Sequence, residues 1–297
     1  MKIFVTGCGG QLGSDVAIEA FKEGIECIAS GRREEKPCFL PEAQKYISLD
    51  ITDLEAVKKA VFATSPDVLI HCAAWTNVDG AEDSENRDAV YNANVTATEN
   101  LAKCAEKIGA KMIYISTDYV FGDLSDEPIS EDDGRIYPLN FYGETKFMGE
   151  QVVKDNCSRA FTVRISWVFG KKGNNFVKTM LSLCDKYESI KVVNDQWGRP
   201  TYTPDLAKLL LEMSKSDKYG TYHATNEGEY VNRYDMVRQI YAEAKKRTKV
   251  YPVSTEEYGK PKALRPKNSK LSTDKLKEAG FTPLPPWKDA IARYIYE

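Results

Sequence analysis

Residues 1–13 read MKIFVTGCGGQLG. The apolar run at 2–5 meets Gly7, Gly10 and Gly13, and behind Gln11 the residues Leu12, Val16 and Ala20 recur at helical spacing. This pattern predicts a strand that turns into a helix through glycine. The glycines divide three tasks between them: a tight turn, an approach of backbone to a pyrophosphate, and close packing of helix on strand. The free N–H groups of the helix's first turn then face the anion. A glycine-rich turn without a ligand is the competing reading. Its place at the first strand–helix crossover of an alternating pattern favours a dinucleotide.

Outward from this stretch the alternation continues. Strands are expected at 26–29, 68–71, 111–115 and 161–165, and helices at 53–63, about 89–108 and around 142–154. Nearly continuous apolar strands separated by amphipathic helices predict an α/β fold, a doubly wound parallel sheet of Rossmann-like type, over residues 1–170. Beyond residue 170 the pattern loosens: helices at 174–187, 204–214 and 234–246, short strands at 191–193 and 221–224, and a last helix at 287–296. Residues 171–297 are therefore expected to form a smaller mixed α/β, substrate-binding lobe, with chain exchange between the lobes. The acidic stretch 123–133 reads as a solvated loop rather than a metal site.

Composition removes several classes of function. The 297 residues carry 41 Lys+Arg against 44 Asp+Glu, a formal net charge of −3, so the basic excess that nucleic acid or an anionic membrane demands is missing. No apolar run reaches the ~20 residues of a membrane span. The two histidines, His71 and His223, do not form an HExxH zinc site, and no metal is expected. Seven scattered cysteines without a CxxC read as free thiols of a reducing compartment. The N-terminal strand runs into glycines without the pattern of a signal peptide, so a cytoplasmic location is expected.

The second strand ends at Ser30-Gly31-Arg32-Arg33, where a dinucleotide's adenosine ribose is read. A carboxylate there selects a 2′-hydroxyl, whereas guanidinium groups suit a 2′-phosphate. Arg32 and Arg33 thus favour NADPH, with NADH as the alternative. Asp50 and Ile51 follow a short apolar segment and are candidates for the adenine edge.

Tyr142 and Lys146 stand four apart and share a helix face. An ammonium beside a phenol, aided by the coenzyme's own positive ring, stabilises the phenolate and is expected to lower its pKa. The same spacing recurs at Tyr187/Lys191, Tyr241/Lys245 and Tyr258/Lys262, so spacing alone decides nothing. Context does: only Tyr142 follows, within the dinucleotide pattern, a strand that ends in hydroxyls, at Ser116, Thr117 and Asp118. In an open parallel sheet, ligands gather at that strand edge. The other pairs read as surface residues.

Together GCGGQLG (7–13), CAAWTNVDGAE (72–82), STDYVFG (116–122), YGETK (142–146), RISWVFG (164–170), GNNFVKTM (173–180) and DQWGRPTYTPDLA (195–207) resemble the extended short-chain dehydrogenase/reductase superfamily. Within it the chain is similar to the dTDP-4-dehydrorhamnose reductases, which complete dTDP-L-rhamnose for cell-surface polysaccharide. The resemblance implies that Tyr142 protonates the C4 carbonyl of the sugar while Lys146 holds the nicotinamide ribose and Thr117 hydrogen-bonds the carbonyl oxygen. It further implies that Gln11 and Leu12 offer backbone N–H groups to the coenzyme diphosphate, and that Ala73, Ala74 and Trp75 line the coenzyme. Asp118 and Trp167 would contact the sugar, and Arg199 the substrate diphosphate. Related dehydratases carry Thr-Asp-Glu where this chain has Thr117-Asp118-Tyr119, which favours plain ketone reduction. Two alternatives stay open: a related nucleotide-sugar 4-ketoreductase or epimerase, and a non-catalytic regulatory subunit like that of methionine adenosyltransferase. The protein is expected to be a monomer or a homodimer with a nucleotide-sugar substrate.

Overall fold

The computed structural model describes residues 1–123, 125–259 and 261–297. Seven parallel strands form one sheet, in the order Gly220–His223, Ala160–Ile165, Lys111–Thr117, Val68–His71, Lys2–Thr6, Glu26–Gly31, Lys45–Ser48. Side chains alternate across the pleat. Ile3 and Val5 accordingly enter a core with Val16, Ala20, Leu206 and Leu210 on one face, while Phe4 joins Val57, Leu101 and Met112 on the other. Helices Gln11–Lys22 and Thr203–Ser214 cover the first face; Leu54–Thr64, Ala97–Ile108 and Phe141–Asn156 cover the second.

Local chemistry sets the helix ends. The Asp53 side chain accepts from the N–H groups of Glu55 and Ala56, and Asn140 accepts from Gly143 N at 2.8 Å. Each side-chain oxygen occupies backbone donors that a helix start leaves free. The expected helix at 89–108 is instead interrupted. Arg87–Tyr91 passes into a widened π turn, Asn92–Thr96, before Ala97–Ile108. Asn94 in that turn accepts from Trp75 N (2.8 Å) and donates to Thr145 Oγ1 (3.1 Å). Apolar periodicity does not register such a widening.

The later residues divide between two places. Phe169, Val177, Tyr202, Val237, Trp287 and Ile291 pack into a separate core. Thr203–Ser214 and Gly220–His223 instead return to the large sheet, the helix lying against Gln11–Lys22. The stretch 123–133 is largely exposed, as expected of a solvated loop, but Ile129 and Glu131 are buried; Leu124 within it lies outside the described residues. Asp123 accepts from Asn268 N at 3.2 Å, and the buried Glu131 accepts from His223 N at 2.8 Å. Its carboxylates pin backbone donors of the C-terminal half. No described helix is long and apolar enough to cross a membrane, and no described cluster of three His, Cys, Asp or Glu is placed to hold a metal ion. All seven cysteines are free thiols.

Candidate active site

A cleft of about 1160 Å³ runs along the carboxyl edge of the sheet. Every residue expected to touch coenzyme or sugar lines it, except Arg199.

The glycine turn forms one wall. Gly7 has φ +74°, and a Cβ on it would lie 2.7 Å from Ala73 N; a Cβ on Gly13 would lie 2.5 Å from Gly7 O. Both positions exclude any side chain. The first turn of helix Gln11–Lys22 has no side-chain cap, so the N–H groups around Gln11 and Leu12 stay available to an anion. The Gln11 side chain turns the other way: it accepts from Asn175 Nδ2 (3.0 Å) and donates to Asn174 O (3.2 Å), tying the turn to the later half of the chain.

Arg32 and Arg33, expected at the ribose, line the cleft and are exposed. Tyr46 holds their loop by donating to the carbonyls of Gly31 (3.1 Å) and Arg33 (2.8 Å). Asp50 accepts from Thr52 N (2.9 Å) and Oγ1 (2.8 Å), and the backbone bond foremost keeps its carboxyl below its ordinary range. Ile51 beside it is buried. Ala73 N donates to Thr6 Oγ1 (3.2 Å), which also bonds His71 Nδ1 (2.8 Å), and His71 Nε2 meets Thr98 Oγ1 (3.1 Å). Burial pulls His71 down to about 3, so it is a neutral strut beneath the cleft. His223 is likewise buried and pushed down.

Where strand Lys111–Thr117 ends, Thr117 and Asp118 meet Tyr142 and Lys146 of helix Phe141–Asn156. Thr117 Oγ1 donates to Asp118 Oδ1 at 3.0 Å, and Ser269 Oγ donates to the other carboxylate oxygen. Burial still raises the Asp118 pKa against those two bonds. Without coenzyme the Tyr142 pKa moves up, opposite to the direction expected once the coenzyme's positive ring stands beside it. Burial raises its pKa, Asp118 adds to the rise and the Thr117 hydroxyl only offsets it. Desolvation of a phenolate outweighs the nearby hydroxyl, and Lys146 does not acidify the phenol in the protein alone. Lys146 is itself pulled down to about 7 by burial, against the opposing pull of Glu150 and Cys72.

Glu150 is a site residue the sequence reading missed. It accepts from Ser116 Oγ (2.5 Å), Arg164 Nε (2.8 Å) and Arg164 Nη2 (2.7 Å), with both charged partners buried. The available signal was a carboxylate four residues beyond Lys146, on the face that helix buries. Trp167 lines the cleft in a left-handed conformation, φ +49°, which a bulky residue adopts only under constraint. Arg199 departs from expectation. It is 5% exposed, donates to Leu271 O at 2.7 Å and lies over the Tyr230 ring at 4.6 Å. Its guanidinium also lies 3.8 Å from the Glu227 carboxylate, so it braces loops and is not among the residues that line the cleft. Of the other tyrosine–lysine pairs, Tyr187 and Tyr258 are exposed, but Tyr241 is buried and donates to Met180 O at 2.8 Å.

The model of the RmlD substrate binding domain family matches residues 1–297. The chain is 35% identical to the spore coat polysaccharide biosynthesis protein SpsK of Bacillus subtilis, covering 100% of this chain and 97% of that protein. It is 37% identical to the dTDP-4-dehydrorhamnose reductase of Mycolicibacterium smegmatis, covering 98% and 84%. The crystal structure of dTDP-4-dehydrorhamnose reductase from Bacillus anthracis in complex with NADP superposes with a TM-score of 0.88 at 37% identity, covering 99% and 98%.

Proposed function

The chain belongs to the RmlD substrate binding domain family, and on that premise we propose that it reduces the C4 ketone of dTDP-4-dehydro-L-rhamnose to dTDP-L-rhamnose with NADPH. The observation that carries this reading is the meeting of the Tyr142 phenol, Thr117 and Lys146 in one cleft with a glycine turn that no side chain can fill. The uncapped helix start, the cleft volume and the exposed arginine pair fit a phosphorylated dinucleotide. Residues 1–170 would hold the coenzyme and 171–297 the nucleotide sugar. The free thiols fit work in the cytoplasm.

Bound NADPH supplies the hydride to C4. Tyr142 supplies the proton, and reduction needs this phenol in its neutral form at the start. Burial favours that form. The Thr117 hydroxyl, released from Asp118, is a second donor to the carbonyl oxygen. Lys146, in its cationic form, steadies the phenolate as the proton leaves and positions the nicotinamide ribose. Trp167 walls one face of the sugar and Asp118 accepts from its hydroxyls. Tyr119 brings no carboxylate base for elimination of water.

The test is NADPH oxidation with dTDP-4-dehydro-L-rhamnose by the parent and Tyr142→Phe. The variant should lose ~10²-fold or more in kcat with unchanged NADPH affinity. A parent that binds NADPH but leaves the ketone unreduced would move the protein to the binding-only alternative.

A further inference from the structure

The Arg233 guanidinium carbon lies 3.7 Å from the centroid of the Trp167 ring and 4.7 Å from that of Phe176. It opens the helix Arg233–Glu243 of the later half and projects into the cleft beside Asp118 and Tyr119. Among the described residues no carboxylate forms an ion pair with it and no side-chain hydrogen bond uses its N–H groups. The nearest carboxylate, Asp118, is already engaged by Thr117 and Ser269. Burial draws its pKa down to about 10, so it remains a cation at neutral pH. Stacking on two rings fixes the plane of a guanidinium while leaving its edge donors free. Such a fork matches the paired oxygens of a phosphate.

The reaction geometry says which phosphate. In a pyranose, C1 lies across the ring from C4. With C4 at Tyr142, C1 and its diphosphate lie on the far side of the sugar from the nicotinamide; of the described cations that line the cleft, Arg32, Arg33 and Lys146 are taken by the coenzyme in this reading, which leaves Arg233. We infer that Arg233, rather than Arg199, binds the diphosphate of the nucleotide sugar and sets the enzyme's demand for a diphosphate donor. This rests on the proposed reduction for the orientation of the sugar, but binding of the diphosphate can be measured without turnover.

The experiment titrates dTDP and, separately, NADPH into the full chain by calorimetry, for the parent, Arg233→Met and Arg233→Lys. Arg233→Met should lose about 10- to 100-fold in dTDP affinity, with NADPH affinity unchanged and KM for the sugar nucleotide raised by a similar factor. Arg233→Lys keeps a charge without the planar fork and should fall between the two. Unchanged dTDP affinity in Arg233→Met, or a lysine variant no better than methionine, overturns the inference. A parent that binds dTDP but reduces nothing defeats the proposed reaction and leaves this site standing; a parent with no dTDP affinity defeats the site.

Discussion

The Lys146 ammonium stands 4.1 Å above the centre of the Tyr114 ring, and the Tyr114 hydroxyl donates to the Lys146 carbonyl at 3.2 Å. One aromatic side chain therefore both walls off the lysine from water and secures the helix turn that carries it. The π-face replaces only part of the lost hydration, which is why the lysine gives up its proton so much more readily than usual. Its charge is held at a cost to the fold.

That cost has a pH signature. Folded Lys146 titrates at about 7, and an unfolded lysine near ~10.4. Between these values the unfolded chain binds more protons, so this residue's contribution to stability rises with pH. Without coenzyme, Lys146→Met should melt higher than the parent at pH 6, and the gap should close toward pH 10. A gap that stays constant in melting scans across this range counts against the assignment.

The carboxylate one turn further on is locked in a bidentate pair with Arg164. Replacing one partner leaves the other charge buried and unpaired. Glu150→Gln should lose roughly 3–5 kcal/mol in urea unfolding, and adding Arg164→Met should recover part of that loss. If the double variant is as unstable as the sum of the two single ones, the pair is not coupled as described.

Arg32 and Arg33 line the cleft and stand exposed. Alanine at both should weaken NADPH by about 10-fold and leave NADH within ~2-fold, since one solvated phosphate contact is at stake. Direct fluorescence titration of the two coenzymes measures this. Equal weakening of both would show that the pair does not read the phosphate.

Arg199→Met separates a brace from a ligand. It removes the guanidinium donated to Leu271 O at 2.7 Å and should lower stability by about 1–3 kcal/mol, with KM for the nucleotide sugar within ~2-fold at temperatures where the variant is folded. A tenfold rise in KM with an unchanged melting temperature would restore Arg199 to the substrate.

Much of this site is legible in the residue order because its determinants are local. Gly7 and Gly13 are required by contacts across a short turn, and Tyr142 and Lys146 share a face because a helix repeats every 3.6 residues. The strand Lys45–Ser48 went unnoticed because it is a four-residue edge segment without a buried apolar face. The widened turn at Asn92–Thr96 is not legible in sequence because the contacts of Asn94 with Trp75 and Thr145 that go with it join segments distant along the chain.

Residue order is enough to place a dinucleotide turn and a tyrosine–lysine helix at the carboxyl edge of a parallel sheet, since periodicity, glycine sterics and strand-end position act over neighbouring residues. Packing alone settles which arginine faces the cleft and in which direction burial moves the phenol's pKa. Arg199 and Arg233 are chemically identical, and burial, which sets both the partners of a guanidinium and the acidity of a phenol, exists only once distant segments have packed.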